Sequence, residues 1–557
     1  MASDKDIPST RSDEKASLGP YDEAVGVVEV RGNKDALQRH LSNRQIQMIA
    51  IGGSIGTALF VSIGNGLMDG GPGSLLIAFA LYSALLGLVN NCMAEMAVYM
   101  PISGSFIRFA GKWVDEAFGF MTGWNFFLYE ATMIPFEISA INLVLTFWRD
   151  DIPVAAVCAA CIVLYALINI FAVKFYGEAE FWLSSGKFLL IIIVFCFTFV
   201  TMCGGNPQHD AFGFRYWANP GSFAEHIHTG SLGRFQGFLG ALWSAAFTIV
   251  GPEYLAMVAG EAQRPRTYLK QAFKTVYWRF GLFFIGGALC VGIILPYNDP
   301  TLNAGDGAGT AAASPYVIAM RNMQVSVLPH LVNALLVTSI FSAGNAYVYC
   351  SMRSLYGLAL EGQAPRFLAK CTRSGIPVWC FAVTMIFPFL SFLAVSNGTA
   401  QAVQWLANLT EAAQIIDYIV MCLTYIYFYR ALKVQGVDRN TLPYTGWFQP
   451  YSAWIGLVGE IFVVFCYGYE TFLPGNWDVG TFFSYYLMVF VAVITYTAWK
   501  IIKRTKVVRP EEADLVWDKP VIDAYEDALK TKPEGFWNEV LQLIRLKKKK
   551  NEPVVDE

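Results

Sequence analysis

The stretch QMIAIGGSIGTALF, residues 47–60, is apolar enough to lie in a membrane, but residues 52–57 within it read Gly-Gly-Ser-Ile-Gly-Thr. A second apolar stretch, FTIVGPEYLAMV at residues 247–258, contains Gly251-Pro252-Glu253. Glycine and proline interrupt helical hydrogen bonding, and in lipid this is tolerated only where the freed backbone groups face protein or a water-filled cavity. Two membrane helices interrupted at matching positions are typical of a transporter's binding site near the middle of the bilayer.

The composition favours an integral membrane protein. Of the 557 residues, 55% are hydrophobic and only 15% are charged, against about 25% charged residues in an average soluble chain. A net charge of −3 and the lack of a basic stripe in the sequence argue against a nucleic-acid partner. Residues 1–45 and 506–557 are polar, and we expect them to be flexible tails, the N-terminal one disordered.

The apolar runs predict an all-α membrane protein with twelve spans, because a helix of about 20 mostly apolar residues crosses the hydrocarbon layer. We expect the spans near residues 47–67, 74–99, 118–147, 152–173, 181–203, 236–259, 277–296, 328–359, 377–396, 402–428, 453–473 and 481–502. The interruptions fall in spans 1 and 6. This predicts a transport domain, 46–505, with two five-helix repeats of inverted topology (about 46–203 and 236–430) and two added helices (about 453–502).

Lysine and arginine residues in the short connections predict the orientation of the chain. They occur at alternate connections, for example at Arg39 and Arg44 before span 1 and at Lys500 and Lys503 after span 12. Both termini are therefore expected in the cytoplasm. The amphipathic tail segment GFWNEVLQLIRLKKKK, residues 535–550, leaves two alternatives open: it lies on the anionic inner leaflet, or it is solvated without membrane contact.

The two interruptions have a chemistry that suits an amino acid. A half-helix that starts at Ser54–Thr57 would present free N–H groups and the positive end of its dipole to a carboxylate. Unwound carbonyl groups around Ile51, Phe247 and Thr248 could accept hydrogen bonds from an ammonium group. The plainer alternative is that these glycines only let helices pack closely. Two interruptions at matched positions, the second at Gly251, favour a binding site.

Ionisable residues inside spans are costly and indicate function. Lys187 lies within FWLSSGKFLLIIIVF of span 5 and could gain and lose a proton during a transport cycle; the alternative is that it extends its amine to the cytoplasmic surface. Glu253, in the second interruption, is another candidate proton carrier. Glu130 and Glu137 lie about two turns apart on one face of span 3.

Span 10 adds further polar residues. Asp417 shares one helical face with Thr410 and Gln414, and Glu411 is adjacent in sequence. Together with the two glutamates of span 3, these acids predict a negative pocket around the side chain of a substrate.

No catalytic chemistry is predicted. The five histidines lie in tails and loops without partners at metal-ligand spacing, and no phosphate-binding glycine motif follows a strand. We therefore expect no enzyme, no cofactor and no metal. A secondary transporter explains the interruptions and the lone lysine. An amino-acid sensor with the same pocket is an alternative, and a membrane-embedded enzyme would need a reactive set that the sequence lacks.

At these residues the chain resembles the yeast amino-acid transporter family of the amino-acid/polyamine/organocation superfamily. The resemblance covers about residues 35–505 and rests on several strings in the same order: LSNRQIQMIAIGGSIGTALF, AVKFYGEAEFWLSSGKF, FGFRYWANPGSF, TIVGPEYLAMVAGEAQRPR, LPYNDPTL and SAGNAYVYCSMRSLYGLALEGQAPRFLAK. It implies a LeuT-like five-plus-five inverted-repeat fold and proton symport of amino acids into fungal cells. It also implies a plasma-membrane location among lipids, with ubiquitin ligase machinery acting on the cytoplasmic tails.

The resemblance also implies roles for individual residues. Ser54–Thr57 match the family's carboxylate-binding interruption, and Phe247 and Thr248 match residues that close over the substrate. Lys187 matches a lysine that replaces a sodium ion in proton-coupled relatives. Glu253 matches the glutamate that ends the second interruption.

Two further matches concern the pocket and its selectivity. Glu137 matches a pocket glutamate, and Thr410 matches a position that tunes selectivity among basic amino acids. Departures leave the substrate open. Gly251-Pro252-Glu253 replaces the commoner Gly-Thr-Glu, as in the dicarboxylic branch, and Ala58 replaces a usual glycine. Glu130 stands where basic-amino-acid permeases carry tryptophan. The acids favour a broad or cation-leaning specificity, with polyamines or carnitine as alternative substrates, whereas the dicarboxylic likeness points the other way.

Overall fold

A computed structural model of the chain describes residue 39 and residues 41–149, 151–171, 176–303, 314–372, 376–397, 399–529, 533 and 535–543. Most of the predicted disordered N-terminal tail lies outside these residues, and so do Lys547–Lys550 of the basic C-terminal segment.

Helices build the described part of the chain, and no strand occurs in it. Helical segments coincide with every predicted span, which confirms the all-α fold with helices 1 and 6 broken. The segments are Asn43–Ser54 with Ala58–Ser62 (span 1), Ile63–Tyr99 (2), Glu116–Leu145 (3), Val154–Phe171 (4), Tyr176–Met202 (5), Gly230–Thr248 with Pro252–Met257 (6), Pro265–Arg279 with Phe280–Ile285 and Gly286–Ile294 (7), Leu328–Leu360 (8), Val378–Thr384 with Phe387–Phe392 and Leu393–Asn397 (9), Thr399–Val434 (10), Tyr451–Cys466 (11) and Val479–Lys503 (12).

Eight helices of the described residues are long and apolar enough to cross a membrane. This number differs from the predicted twelve for structural reasons. Ala58–Tyr99 forms one long segment that contains parts of spans 1 and 2. Spans 4 and 11 are shorter apolar helices, Val154–Ile170 and Tyr451–Cys466, and span 6 is divided by its break.

The first break lies where the glycines predict it. The helix Asn43–Ser54 ends at Ile55, whose backbone is extended with φ −117° and ψ 102°, and helical structure resumes by Ala58. The boundary between spans 1 and 2 is Gly71, with a φ of +74° that favours glycine. A Cβ atom at Gly71 would also lie only 2.8 Å from the backbone nitrogen of Ala224, so the position is closed to side chains.

The second break is an extended turn between two helical halves. Gly230–Thr248 ends at Ile249, with φ −92° and ψ 110°. The next half, Pro252–Met257, begins with Pro252, whose missing N–H group would have no intrahelical partner there in any case. The local sequence thus explains both where the helix stops and why it starts again.

Span 3 lies at the centre of the bundle. Its helix, Glu116–Leu145, packs most extensively against spans 8 and 10, and span 2 packs mainly against the first half of span 6. Span 12 is peripheral, because only 17% of its most apolar window is buried inside the protein. This peripheral position agrees with its prediction as an addition to the two repeats.

The first described residues, before span 1, and the described residues after span 12 lie on one face of the bundle, which we call the tail face. The C-terminal tail was expected to be flexible, but it contains the helices Lys519–Ala528 and Phe536–Leu543, and both pack on this face. The reason is a pattern of buried side chains, including Leu515 and Ile522, together with acidic groups that find partners on the bundle. On the same face Glu95 forms an ion pair with a loop, through Arg439 at 2.7 Å.

Candidate substrate and ion site

The first break is held against span 3 by Glu137. The hydroxyl of Thr57 donates a 2.5 Å hydrogen bond to Oε2 of Glu137, and both residues are buried. Oε1 of Glu137 has no hydrogen-bond partner among the described residues. A Cβ atom on Gly56 would lie 2.8 Å from this Oε1 and 3.2 Å from Cβ of Ala343. Gly56 therefore brings the backbone of the break close to a carboxylate and to span 8. Ile55 is fully buried beside it.

Lys187 lies beneath the same break. Its Nζ donates a 2.5 Å hydrogen bond to the carbonyl oxygen of Gly52, and its residue is only 1% exposed. The amine of Lys187 therefore does not extend to the cytoplasmic surface in this structure. Carbonyl groups at the end of a helix carry the negative end of the helix dipole, so they form a natural site for a cation. The side chain of Ser54, next to this carbonyl, is not among those described.

Glu180 is a member of this site that the sequence reasoning missed. Its Oε1 accepts hydrogen bonds from the hydroxyls of Ser184 at 3.1 Å and Ser342 at 3.0 Å. A Cβ atom on Gly52 would lie 2.1 Å from the same oxygen, so Gly52 must remain a glycine here. Glu180 and Glu137 both interact electrostatically with Lys187. The available signal was spacing, since Glu180 precedes Lys187 by about two helical turns in span 5.

The second break is closed on itself by Glu253. Both carboxyl oxygens of Glu253 accept from the backbone N–H of Gly251, at 3.2 Å each, and Oε1 also accepts from the hydroxyl of Tyr418 at 3.1 Å. The two breaks meet directly, because a Cβ atom on Gly53 would lie 2.7 Å from the ring of Tyr254. A movement of either broken helix therefore displaces the other.

Arg279 is a second buried cation beside the breaks. Its Nη1 donates a 2.6 Å hydrogen bond to the carbonyl oxygen of Ala50, and the guanidinium interacts electrostatically with Glu253. The predicted span 7, near residues 277–296, places Arg279 within its first turn, at the edge of the membrane. The helix in fact begins at Pro265, which carries Arg279 four turns inward, where it is 5% exposed.

Two further hydrogen bonds join the first half of span 1 to span 7. Asn43 Nδ2 donates to Oε1 of Gln271 at 2.9 Å, and the hydroxyl of Thr275 donates to Oε1 of Gln47 at 2.8 Å. With Arg279 they form a ladder at four-residue spacing along span 7. The half-helix of span 1 is thereby attached to span 7 over its whole length.

The predicted negative pocket of four acids is divided in the structure. Glu137 belongs to the first break, whereas Glu130 and Asp417 interact electrostatically with Glu253 at the second. Glu411 lies apart, next to Tyr467 of span 11. A helix rises about 10 Å in seven residues, which places Glu130 and Glu137 at different breaks. Tyr347 nevertheless interacts electrostatically with both glutamates, and the common pocket stays a prediction.

Glu130 has an unusual environment. It is fully buried, and neither carboxyl oxygen has a hydrogen-bond partner among the described residues. Asp417 accepts from Asn125 Nδ2 at 3.0 Å through Oδ1, while its Oδ2 has no such partner in the described part of the chain. Buried acceptors without donors are expensive. A donor supplied by a proton or by a ligand would relieve this cost.

Three remaining candidate residues lie along the wall of this region. The ring of Phe247 makes an edge contact with Phe136 at 5.4 Å, next to Glu137 in sequence. Thr248 is buried at the end of the first half of span 6. The hydroxyl of Thr410 donates to backbone carbonyls of its own helix, including that of Leu406 at 2.9 Å. In the described residues no group of three or more histidine, cysteine or acidic side chains is placed to hold a metal ion.

Comparison with known proteins agrees with this architecture. The chain is 11% identical to the crystal structure of the Eremococcus coleocola manganese transporter, covering 86% of this chain and 99% of that one with a TM-score of 0.52. At this identity the likeness shows the fold alone, and it supports the predicted LeuT-like arrangement.

Sequence comparison shows the family. The family model described as Amino acid permease matches residues 45–510. The chain is 45% identical to the general amino acid permease AGP2 of Saccharomyces cerevisiae, over 88% of this chain and 84% of that protein. It is 34% identical to the dicarboxylic amino acid permease of the same yeast (93% and 86%) and 37% identical to the lysine/arginine permease CAN1 of Candida albicans (83% and 80%). The chain is a multi-pass membrane protein and belongs to the amino acid permease family, whose function is the transport of amino acids.

Proposed function

We propose that this protein takes up amino acids across the plasma membrane together with protons, with its tail face in the cytoplasm. The observation that carries the proposal is the hydrogen bond from the buried amine of Lys187 to the carbonyl oxygen of Gly52 at the first break. A cation at this point stabilises the end of the half-helix. A lysine supplies that cation only while it is protonated, whereas a bound metal ion would not depend on pH.

The charge partners of Lys187 support the same coupling. Glu180 and Glu137 both interact with it, and Glu137 also accepts from Thr57 within the break. Loss of the proton from Lys187 removes the favourable interaction with Gly52 and leaves the end of the half-helix without its cation. The cytoplasmic half of span 1 is then free to move. Glu253, in contact with the backbone of the second break, is the second proposed proton carrier.

The main-chain part of the substrate is proposed to bind between the two breaks. The N–H groups at Ser54–Thr57 would bind its carboxylate, and Gly56 allows a close approach. The carbonyl groups near Phe247, Thr248 and Gly251 would accept hydrogen bonds from its ammonium group. Phe247 would close over the bound molecule.

The side-chain part of the substrate is proposed to lie toward Glu130. The unpartnered oxygens of this buried residue and of Asp417 suit a cationic group, so the specificity is broad with a lean toward cations. Basic amino acids are the first candidates, and polyamines and carnitine are alternatives. The relatives named for lysine and arginine and for dicarboxylic amino acids mark the range that has to be tested.

The proposal also covers regulation and one alternative function. On a cytoplasmic tail face, residues 1–45 and 506–557 would be accessible to ubiquitin ligase machinery, and the transport domain of residues 46–505 would lie among membrane lipids. A sensor that binds amino acids without moving them is the alternative, since it needs the same pocket.

The deciding experiment is uptake into cells that lack their own permeases. A panel of labelled amino acids, a polyamine and carnitine should identify the substrate, and uptake should fall when a protonophore collapses the proton gradient. Purified protein in vesicles should accumulate the same substrate when a pH gradient is applied. Binding without accumulation would favour the sensor, and sodium-dependent accumulation would refute coupling to protons.

A further inference from the structure

The C-terminal segment after span 12 crosses the tail face and is held there by backbone groups. The backbone N–H of Val508 donates to the carbonyl of Val114 at 2.8 Å. The indole of Trp113 and the hydroxyl of Tyr99 donate to the carbonyls of Asp514 and Leu515, each at 2.9 Å. These partners belong to the end of span 2 and to the connection that leads into span 3. The first part of the segment is therefore attached to the span 3 side of the bundle.

The helix Lys519–Ala528 continues the segment to the beginning of span 7. Arg266, the second residue of that span, donates from its backbone N–H to Oε1 of Glu526 at 3.0 Å, and its guanidinium pairs with Asp523 at 2.5 Å. The hydroxyl of Tyr525 donates to the carbonyl of Gln263 at 2.8 Å. This helix is thereby bound to the connection between spans 6 and 7.

The helix Phe536–Leu543 ends at the beginning of span 1. Glu539 is 8% exposed, and its two oxygens accept from the backbone N–H groups of Asn43 at 3.3 Å and Arg44 at 2.8 Å. The first N–H groups of a helix have no intrahelical partner, and a carboxylate beside them is stabilised by the helix dipole. Glu539 therefore caps the start of the half-helix Asn43–Ser54. The other end of this half-helix lies at the first break, where Lys187 contacts it.

A cavity lies beside the segment on this face. It has a volume of about 350 Å³ and is lined by Arg108, Ser354 and Glu361 among others. Arg108 pairs with Glu361 at 2.8 Å and with Asp518 of the segment at 3.6 Å, and its guanidinium lies 5.0 Å from the centre of the Trp517 ring. The segment is therefore attached to the lining of this cavity through Arg108.

We propose that the described C-terminal residues 508–529 and 535–543 form an intramolecular latch, which binds the tail face of this chain and holds spans 1 and 7 to the span 3 side. Opening of the tail face separates these two groups of helices, so the latch has to release at least one of its attachments first. The partner that this surface recognises is the chain's own C-terminal segment. The consequence for uptake rests on the proposed transport function, but the latch itself does not.

The burial of Glu539 shows how the second helix contacts the bundle. Glu539 is 8% exposed and lies against the start of span 1, whereas Trp537, two residues earlier, is 72% exposed. The buried carboxylate is therefore a contact of this helix with the bundle.

The test measures the accessibility of the cavity in the purified full-length chain in lipid nanodiscs, where both faces are open to reagent. A cysteine introduced by Ser354→Cys reports access to the cavity through its reaction with a membrane-impermeant maleimide. The parent chain gives the background from native cysteines. Glu539→Ala removes the cap of span 1, and Asp523→Asn with Glu526→Gln removes the partners of Arg266. Asp527→Ala, at an exposed position of the same tail helix, is the matched control.

Both latch variants should raise the labelling rate roughly three- to tenfold, the effect expected from the net loss of about one ordinary hydrogen bond, while Asp527→Ala leaves it unchanged. Labelling in either latch variant that equals the control overturns the latch, whatever the uptake activity. An absence of uptake in the wild-type chain would count against the proposed function and would leave this comparison of labelling rates intact.

Discussion

Arg279 and Ala50 are joined by a 2.6 Å hydrogen bond from Nη1 of the guanidinium to the carbonyl oxygen, two residues before the carbonyl that accepts from Lys187. Two buried cations from two different spans therefore bind the same broken helix end. Each connects this end to a group that can change its charge, Lys187 to its own proton and Arg279 to Glu253. Under the proposed proton coupling, the position of the half-helix would respond to protonation at both breaks.

Replacement of Lys187 by alanine should abolish concentrative uptake and leave substrate binding measurable. The variant removes the cation from the Gly52 carbonyl, but it leaves the N–H groups of the break in place. Uptake with and without a protonophore, and binding to the purified protein, are the two measurements. Lys506→Ala, at an exposed position after span 12, is the control and should transport normally. Wild-type uptake that requires sodium and ignores the protonophore would contradict this assignment.

A side chain at Gly56 should stop transport. A Cβ atom there would lie 2.8 Å from Oε1 of Glu137 and 3.2 Å from Cβ of Ala343, so either the break or its neighbours must shift. A displacement of this size typically costs about 100-fold in rate. Gly56→Ala should show the loss, and Gly56→Val should enlarge it. Gly186→Ala is the control, because a Cβ at Gly186 meets nothing within 4 Å. Normal kinetics in a correctly located Gly56→Val chain would refute the broken-helix site.

The positions of the spans and of both breaks could be predicted because they depend on local sequence. Apolar length and interruption by glycine or proline act within a few residues. The partners of the breaks depend on packing between distant spans. Glu180 contributes an oxygen opposite Gly52, but nothing in span 5 alone indicates that Gly52 lies there. The family resemblance identified Lys187 and did not identify its acidic neighbour.

Arg279 was missed for another physical reason. Hydropathy places the start of span 7 where the apolar run begins, so a polar first stretch of the same helix is counted as a loop. The ladder of Gln271, Thr275 and Arg279 at four-residue spacing was the available signal, because such residues share one helical face. A polar face at the start of a span indicates burial against another polar helix.

Substitution of Arg279 by glutamine should destabilise the protein and abolish uptake. The variant removes the hydrogen bond from the guanidinium to the Ala50 carbonyl and the electrostatic interaction with Glu253. A hydrogen bond to a charged group typically contributes about 1.5–3 kcal/mol. Arg279→Gln should therefore lower the melting temperature of the purified protein. Arg279→Lys, which keeps the charge, should lower it less. Lys274→Gln, on the exposed face of the same helix, is the control. Equal melting temperatures for Arg279→Gln and this control would disprove the role of the guanidinium.

On the face opposite the tails, His226 lies between two acids and should make stability depend on pH. Its Nε2 is 3.2 Å from Oε1 of Glu470, and its Nδ1 is 3.6 Å from Oδ1 of Asp69. The hydrogen bond to Glu470 and the charge of Asp69 raise the pKa of His226 above its usual 6.5. A raised folded-state pKa gives stability that is complete below 6.5 and is lost as the pH rises through the folded value.

The melting temperature should accordingly be higher at pH 5.5 than at pH 8.5 (both about one unit or more from the usual histidine pKa). His226→Gln should reduce this difference, because it removes the titrating group and keeps a polar side chain. His330→Gln replaces another histidine on the protein surface and is the control, because it tests whether the loss of any histidine changes the pH dependence of the melting temperature. A pH profile unchanged by His226→Gln would show that the cluster contributes nothing.

The charge preference of the substrate should depend on Glu130. This carboxylate is fully buried without a hydrogen-bond donor from the described residues, and it interacts with Glu253 and Asp417, so it either takes up a proton or binds a cation. Arg279, the buried cation that interacts with Glu253, is bound to Ala50. Arginine or spermidine should therefore compete for wild-type uptake more strongly than glutamate, and Glu130→Gln should weaken the cationic competitors by about tenfold or more, the loss of one charge-assisted contact. Glu411→Gln is the matched control, since Glu411 lies away from this cluster beside Tyr467. Strong competition by glutamate alone, with no change in Glu130→Gln, would assign Glu130 to a protonated structural role and the pocket to anionic substrates.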